Sequence, residues 1–144
     1  MDKIKVLFVC IHNSARSQMA EAFLKQIGND KLAVESAGIE PGKLNPIVVE
    51  AMHEIGIDIS GNKTKSVFDF YKQGKKYHYV ITVCGAAKSE QCPIFPGTIQ
   101  QLHWSFTDPA SFSGTNQEIL AKTRIIREQI RTKVAEFAQA SDRR

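Results

Sequence analysis

The chain has 144 residues, of which 42% are hydrophobic, and this is typical of one domain, residues 1–144, with a single packed core. Lysine and arginine number 19 against 15 acidic residues, so the net charge of +4 is too small to argue for a nucleic-acid-binding protein. The longest apolar run, Val6 to Ile11, excludes a membrane-spanning helix, which needs about 20 residues.

The N-terminus and the cysteines bear on the cellular compartment. No cleavage-site pattern or lipidation motif follows Met1, which predicts a cytoplasmic protein without a signal peptide. The cysteines are Cys10, Cys84 and Cys92, and an odd number argues against a structural disulfide framework. The cysteines can therefore be reactive thiols, ligands of a metal site or ordinary core residues.

Hydrophobic patterning predicts strands that alternate with helices. A continuous β-branched run predicts a strand at 4–9, and apolar residues at helical spacing predict a helix at 14–27. A second strand is predicted at 32–36, before a helix that begins at Asn45-Pro46 and ends at Gly56. The rest of the pattern predicts a short helix and turn at 68–77, strands at 79–83 and 99–104, and a long amphipathic helix at 116–138.

This alternation predicts an α/β fold of three layers, a parallel sheet with helices on both faces. Four strands in a small doubly wound fold favour the order 2-1-3-4. Ligands of such folds bind beyond the carboxyl ends of the strands, where the strand order reverses. That point lies between the first and third strands, so the residues after these strands are candidates for the functional site.

The loop after the first strand carries the strongest chemical signal. It reads Cys-x5-Arg-Ser and consists of Cys10 followed by Ile11, His12, Asn13, Ser14, Ala15, Arg16 and Ser17. A loop that wraps before a helix directs backbone N–H groups and partial positive charge into one concavity. Arg16 adds a planar fork for two oxygens of a tetrahedral oxyanion. Asn13 tolerates the left-handed backbone region that such a loop uses.

The same surroundings favour the thiolate of Cys10. A position at a helix N-terminus predicts a pKa lowered into the range of about 3.5–7.5, with Ser17 as a hydrogen-bond donor to the sulfur. A buried structural cysteine followed by a surface arginine is the alternative interpretation. The placement of the motif between a strand and a helix disfavours that alternative.

These residues resemble the active-site loop of the low-molecular-weight protein tyrosine phosphatase superfamily, and within it they are most similar to thioredoxin-coupled arsenate reductases. Four further segments match those reductases, at 35–40, 51–60, 84–93 and 103–110. Two positions depart from the phosphatase pattern, because His12 replaces a common glycine and Ala15 replaces a frequent cysteine. Without a cysteine at Ala15, any disulfide has to involve Cys84 or Cys92.

The resemblance implies that Asp108 is the general acid that protonates the leaving oxygen. An ordinary Asp-Pro turn is the structural alternative. The phosphatases usually continue after this Asp-Pro with aromatic residues that hold a phosphotyrosine ring. Here Ala110-Ser111 follows, although Phe112 is close by, so the pattern favours the reductases.

Cys84 follows the third strand as Cys10 follows the first. Neighbouring strands lie about 4.8 Å apart, so the Cα atoms of these cysteines can approach the separation that a disulfide accepts. Cys92 follows after a segment of small and polar residues, 85–91, which we expect to move. Core packing stays the alternative for Cys84. The cysteines lack the close spacing of a metal site, so no metal and no cofactor is expected.

The resemblance implies an enzyme that reduces arsenate to arsenite through a thiol relay. Cys10 attacks arsenate, Cys84 attacks Cys10 with release of arsenite, and Cys92 moves the disulfide to Cys84–Cys92, where a thioredoxin-like donor reduces it. A low-molecular-weight protein tyrosine phosphatase is the alternative enzyme, and a non-catalytic oxyanion sensor is the third hypothesis. We expect a monomer whose partners are arsenate and a thiol donor, with no nucleic acid and no membrane.

Overall fold

The computed structural model describes residues 3–28, 31–85 and 90–142, and its strands form one parallel sheet. The strand order β2-β1-β3-β4 confirms the predicted order 2-1-3-4. The strands are β1 (Ile4–Cys10), β2 (Leu32–Gly38), β3 (Tyr79–Thr82) and β4 (Gln100–His103). The helices are α1 (Arg16–Gly28), α2 (Pro46–His53), α3 (Val67–Lys72) and α4 (Asn116–Asp142), with a short 3-10 helix at Pro109–Ser111.

Some helix and strand boundaries differ from those that the sequence predicts. β2 continues to Gly38, two residues beyond the predicted end, because Gly38 pairs with Cys10. α1 begins at Arg16 and not at Ser14, because Ser14 and Ala15 belong to the loop before the helix. α2 ends at His53, three residues before Gly56. The change in β2 comes from pairing between strands, which hydrophobic periodicity does not report, whereas 54–56 form a local turn after α2.

The sheet is buried on both faces, as the continuous apolar run in β1 predicts. Phe8 and Cys10 face a core built with α1, α2 and α4, whereas Leu7 and Val9 face a second core built with α3. We call these the Phe8 core and the Leu7 core. Successive β1 side chains point to opposite faces, so the buried residues 6–10 alternate between the two cores. The expected α/β architecture with helices on both faces is therefore confirmed.

The long helix α4 packs across α1 and α2. Its side chains Ile126, Ile130 and Val134 lie in the Phe8 core. At the surface, Arg124 and Arg127 both pair with Glu54, which follows α2. None of the helices in the described part of the chain combines the length and the apolar character that a membrane crossing requires.

Candidate active site

The loop between β1 and α1 is held by hydrogen bonds to its carbonyl groups. The carbonyls of residues 10–14 all accept hydrogen bonds from outside the loop. The donors are the backbone N–H groups of Ile39, Glu40, Gly42 and Asn45 and the side-chain amide of Gln18. The C=O of a trans peptide points away from the next N–H. The N–H groups of residues 11–15 therefore face the inside of the loop, which forms the expected concavity for an oxyanion.

Asn13 gives the loop its shape. Its φ of 54° is the single positive value among the non-glycine residues that the structure describes, as its sequence position predicts. Its side-chain oxygen accepts hydrogen bonds from the backbone N–H of Lys65 at 3.0 Å and from Gln18 Nε2 at 3.2 Å. These bonds offset the cost of the left-handed conformation and fix which way the side-chain amide points.

Gly38 lies directly against this loop at the end of β2. A Cβ atom there would stand 2.7 Å from the carbonyl oxygen of Ile11 and 2.8 Å from the backbone nitrogen of Asn13. Both neighbours are backbone atoms, so the loop would have to move. We expect Gly38→Ala to lower the free energy of unfolding by about 1–3 kcal/mol and to impair oxyanion binding.

Thermal unfolding and phosphate titration would measure both effects. Gly61→Ala is the matched control, because a Cβ atom at Gly61 meets nothing within 4 Å. A Gly38→Ala variant with wild-type stability and wild-type phosphate affinity would contradict the close approach.

Cys10 is buried beneath the loop, with 2% of its surface exposed. Its sulfur accepts the backbone N–H of Asn13 at 3.1 Å and lies 2.7 Å from Ser17 Oγ. Burial raises the pKa of the Cys10 thiol above its ordinary value, while Ser17, the Arg16 charge and the Asn13 N–H act in the opposite sense. The prediction of a lowered pKa is therefore wrong for the protein as described, because desolvation of the thiolate outweighs these contacts.

Arg16 and Asp108 meet at the same site from distant parts of the chain. The Arg16 side chain is 6% exposed, and its Nη2 lies 3.5 Å from Asp108 Oδ2. Arg16 Nη1 also donates to the carbonyl of Phe106 at 3.1 Å. The other carboxylate oxygen of Asp108 accepts the N–H of Ala110 at 3.0 Å and caps the 3-10 helix. Asp108 is thus both the turn residue and a neighbour of Arg16.

His12 occupies the exposed rim of the loop. Its Nδ1 donates to the carbonyl of Glu40 at 2.8 Å, since a carbonyl oxygen can only accept. Its side chain also packs beside Gly42, where a Cβ atom would stand 3.3 Å from the His12 Cβ. His12 therefore ties the rim to the chain after β2.

Cys84 follows β3, the strand that pairs with β1, as the strand order predicts. The N–H of Val83 donates to the carbonyl of Val9 at 2.8 Å, so the pairing of β1 with β3 continues to the level of Cys10. Cys84 follows one residue later and is fully buried in the Phe8 core, which also contains Cys10. Burial in a core fits the packing alternative, and it also places the Cys84 thiol in the same buried cluster as the Cys10 thiol.

Cys92 lies on the other side of the sheet, in the Leu7 core with Val9 and Phe95. Burial, with a smaller contribution from Cys84, raises the pKa of the Cys92 thiol to about 12. Phe95 anchors the chain just after Cys92 through edge contacts with the rings of Tyr71 and Tyr77. Residues 86–89 of the segment that we expected to move lie outside the described residues.

The high pKa predicts slow alkylation of Cys92 in the reduced, folded protein. Raising the pKa from 9.0 to about 12 lowers the thiolate fraction at pH 8 by about 10³-fold, and the thiolate is the reacting form. We expect iodoacetamide to label Cys92 slower by this factor than in urea, as measured by peptide mass spectrometry. Equal rates in the folded and unfolded protein would contradict this prediction.

Gln18 and Lys65 are parts of the site that the sequence analysis did not single out. Gln18 is fully buried and joins the Asn13 carbonyl to the Lys63 carbonyl, at 3.1 and 3.0 Å. A polar residue on the buried side of α1 is a signal that could have identified it. No sequence pattern marks Lys65 in this way, because its contacts with Asn13, Glu21 and Ser36 join segments that are distant in the sequence.

Comparison with known proteins places this geometry in a family. A family model described as low molecular weight phosphotyrosine protein phosphatase matches residues 5–144. An arsenate reductase of Bacillus subtilis (strain 168) is 42% identical over 139 residues, which cover 96% of this chain and 98% of that protein.

Solved structures agree with this relationship. An arsenate reductase in the phosphate binding state has a TM-score of 0.77 at 34% identity, over 95% of this chain and 98% of that chain. A thioredoxin-dependent arsenate reductase from Corynebacterium glutamicum has a TM-score of 0.66 at 33% identity, over 96% of this chain and 63% of that chain. The chain therefore belongs to the low molecular weight phosphotyrosine protein phosphatase family and, within it, to the arsenate reductases.

Proposed function

We propose that this protein reduces arsenate to arsenite and that Cys10 is the nucleophile. The observation that carries the proposal is that two buried thiols, Cys10 beneath the oxyanion loop and Cys84 after the neighbouring strand, belong to the same core. Relatives of this length and similarity are named arsenate reductases. Reduction of arsenic(V) to arsenic(III) needs two electrons, and two thiols supply them when they form a disulfide.

In the first step, the N–H groups of the loop and Arg16 bind arsenate above the Cys10 sulfur. Because burial keeps the resting thiol protonated, its proton has to leave as the oxyanion binds, and dianionic arsenate is a base that can accept it. The sulfur attacks arsenic, one As–O bond breaks, and the displaced oxygen leaves as water. Asp108, held 3.5 Å from Arg16, is placed to relay this thiol proton to the displaced oxygen, so that the proton leaves with the water and Asp108 ends as it began.

In the second step, Cys84 attacks the sulfur of arsenylated Cys10. The S–As bond breaks, its electron pair stays with arsenic, and arsenite leaves as the Cys10–Cys84 disulfide forms. Cys92 then attacks Cys84 and frees Cys10 by thiol–disulfide exchange. A dithiol donor of the thioredoxin class reduces the Cys84–Cys92 disulfide, in keeping with the thioredoxin-dependent relative.

The wider setting of this activity is also part of the proposal. Free thiols that cycle through a disulfide require a reducing compartment, so we place the protein in the cytoplasm as a monomeric single domain of residues 1–144. The net charge of +4 does not favour nucleic acid as a partner. Among the described residues, no three His, Cys, Asp or Glu side chains form a group that could hold a metal ion.

A single turnover without external reductant tests the proposal. Fully reduced protein is mixed anaerobically with arsenate and quenched in acid, and its thiols are then counted and mapped by mass spectrometry. We expect one arsenite per protein, one remaining thiol at Cys10 and a Cys84–Cys92 disulfide. Three intact thiols together with hydrolysis of phosphate esters would contradict the proposal and favour the phosphatase.

A further inference from the structure

A chain of hydrogen bonds connects the Cys10 sulfur to a buried carboxylate. Ser17 Oγ lies 2.7 Å from the sulfur, and Asn13 Nδ2 donates to Ser17 Oγ at 2.7 Å and to Ser36 Oγ at 2.9 Å. Ser36 in turn donates to Oε1 of Glu21. The exposed fraction is 0% for Asn13, Ser17 and Ser36, and 5% for Glu21. Water therefore has little access to any part of this chain.

The donors and acceptors of this chain have one consistent direction. Asn13 Nδ2 can only donate, so both serine oxygens accept from it. Ser36 has one proton, which goes to Glu21. Ser17 also has one proton, and because its oxygen already accepts from Asn13, this proton is left for the Cys10 sulfur. The carboxylate at the far end takes the Ser36 proton, which leaves the Ser36 oxygen to accept from the Asn13 amide and so helps to hold the amide that orients Ser17.

Lys65 meets the chain where it reaches the carboxylate. Its Nζ lies 3.3 Å from Oε1 of Glu21 and 3.4 Å from Ser36 Oγ. A buried carboxylate needs an opposite charge, and this ammonium supplies it at the oxygen that Ser36 uses. The same residue also touches Asn13, since the Lys65 backbone N–H donates to Asn13 Oδ1 at 3.0 Å.

Lys25 binds the same carboxylate in a different way. It contacts Oε2, the oxygen that does not receive Ser36. Its side chain is 56% exposed, against 30% for Lys65, so solvent screens its charge more strongly. Two ammonium groups, those of Lys25 and Lys65, therefore bind the Glu21 carboxylate. Of the two, Lys65 also lies next to Ser36, on the hydrogen-bond path to Cys10.

We propose that the Lys65 ammonium is a positioning group for the nucleophile, acting through Glu21, Ser36 and Asn13 to keep the Ser17 proton directed at the Cys10 sulfur. This inference rests on the proposed role of Cys10. A hydrogen bond from Ser17 favours the thiolate over the thiol, so Lys65 makes thiolate formation easier against the cost of burial. Substitution of the Lys65 side chain leaves its backbone bonds to Asn13 and Gly38 in place.

The rate of Cys10 alkylation as a function of pH tests the proposal. Iodoacetamide is the probe, and peptide mass spectrometry separates Cys10 from the other cysteines. We expect Lys65→Met to raise the midpoint of the Cys10 profile by about one pH unit and to lower kcat near pH 7 by about 10-fold. Lys65→Arg, which keeps the charge, is expected to restore most of both values. Lys25→Met is the matched control, with an expected change below about 0.3 pH unit.

Among the described residues, the other charged or titratable groups that face the Cys10 loop are Arg16 from α1, its partner Asp108 after β4, and the rim residue His12. None of these variants changes them.

An unchanged midpoint in folded Lys65→Met, or equal shifts in the Lys65 and Lys25 variants, would overturn the proposal. A cooperative thermal unfolding transition shows that each variant is folded. If Lys65→Met does not fold, Lys65→Gln is measured in its place. Alkylation needs no arsenate, so a wild-type protein that fails to reduce arsenate contradicts the proposed function separately.

Discussion

Replacing Cys84 by serine is expected to stop arsenate reduction before arsenite is released. Serine is close in size to cysteine but is a much weaker nucleophile toward the Cys10 sulfur, so arsenylated Cys10 should accumulate. We expect steady-state turnover to fall by at least about 10³-fold. Acid quench followed by mass spectrometry of the intact protein measures the arsenylated form, and arsenite is measured in the same samples.

Cys92→Ser is the matched variant, because it removes the thiol that acts last. It is expected to release one arsenite per protein and then stop as the Cys10–Cys84 disulfide. The two variants thus block the relay at different steps, one before and one after the electrons reach arsenic. Multiple turnovers in either variant without an added small thiol would contradict the relay.

Replacing Arg16 by lysine is expected to lower kcat/KM for arsenate by about 10²–10³-fold, although the charge is retained. Lysine cannot present two parallel donors to an oxyanion, nor can it contact the Phe106 carbonyl and Asp108 at the same time as Arg16 does. Steady-state kinetics gives the loss of catalytic efficiency, and titration with inorganic phosphate gives the loss of oxyanion affinity.

Arg124→Lys controls for the general effect of an arginine-to-lysine change. Arg124 pairs with Glu54 at the surface, where its side chain is 45% exposed, and it is expected to alter kcat/KM by less than about twofold. Wild-type phosphate affinity in Arg16→Lys would show that the loop binds oxyanions through its backbone alone.

The sequence was sufficient to predict the buried strand that ends at Cys10, because it depends on local pattern, and the strand order, because small doubly wound folds favour it. The apolar run of β1 and the turn residues after it predict a buried strand that ends at Cys10. The position of Cys84 after the strand next to β1 then follows from the strand order. Gly38 shows where local pattern fails, since its pairing with Cys10 joins two segments that are distant in the sequence.

Two properties of the thiols were beyond reach of the sequence. The pKa of Cys10 depends on a balance between burial and hydrogen bonds, and a motif shows the donors but not the degree of burial. The placement of Cys92 in the Leu7 core depends on how the chain returns after β3, which no periodicity encodes. Lys65 likewise contacts Glu21, 44 residues earlier in the chain, only after folding.

Cys10 and Cys92 lie in different cores on opposite faces of the sheet. In the proposed cycle, the sheet therefore separates the thiol that meets arsenate from the thiol that meets the donor's side of the relay. In that cycle, arsenate meets the Cys10 thiol of the Phe8 core, while Cys92, which passes the donor's electrons onward, lies in the Leu7 core. Cys84, which follows β3, is the residue through which the disulfide passes from Cys10 to Cys92. A reductant that meets only the Leu7 side cannot reduce arsenylated Cys10 directly, so the electrons for each arsenite have to pass through Cys92 and Cys84.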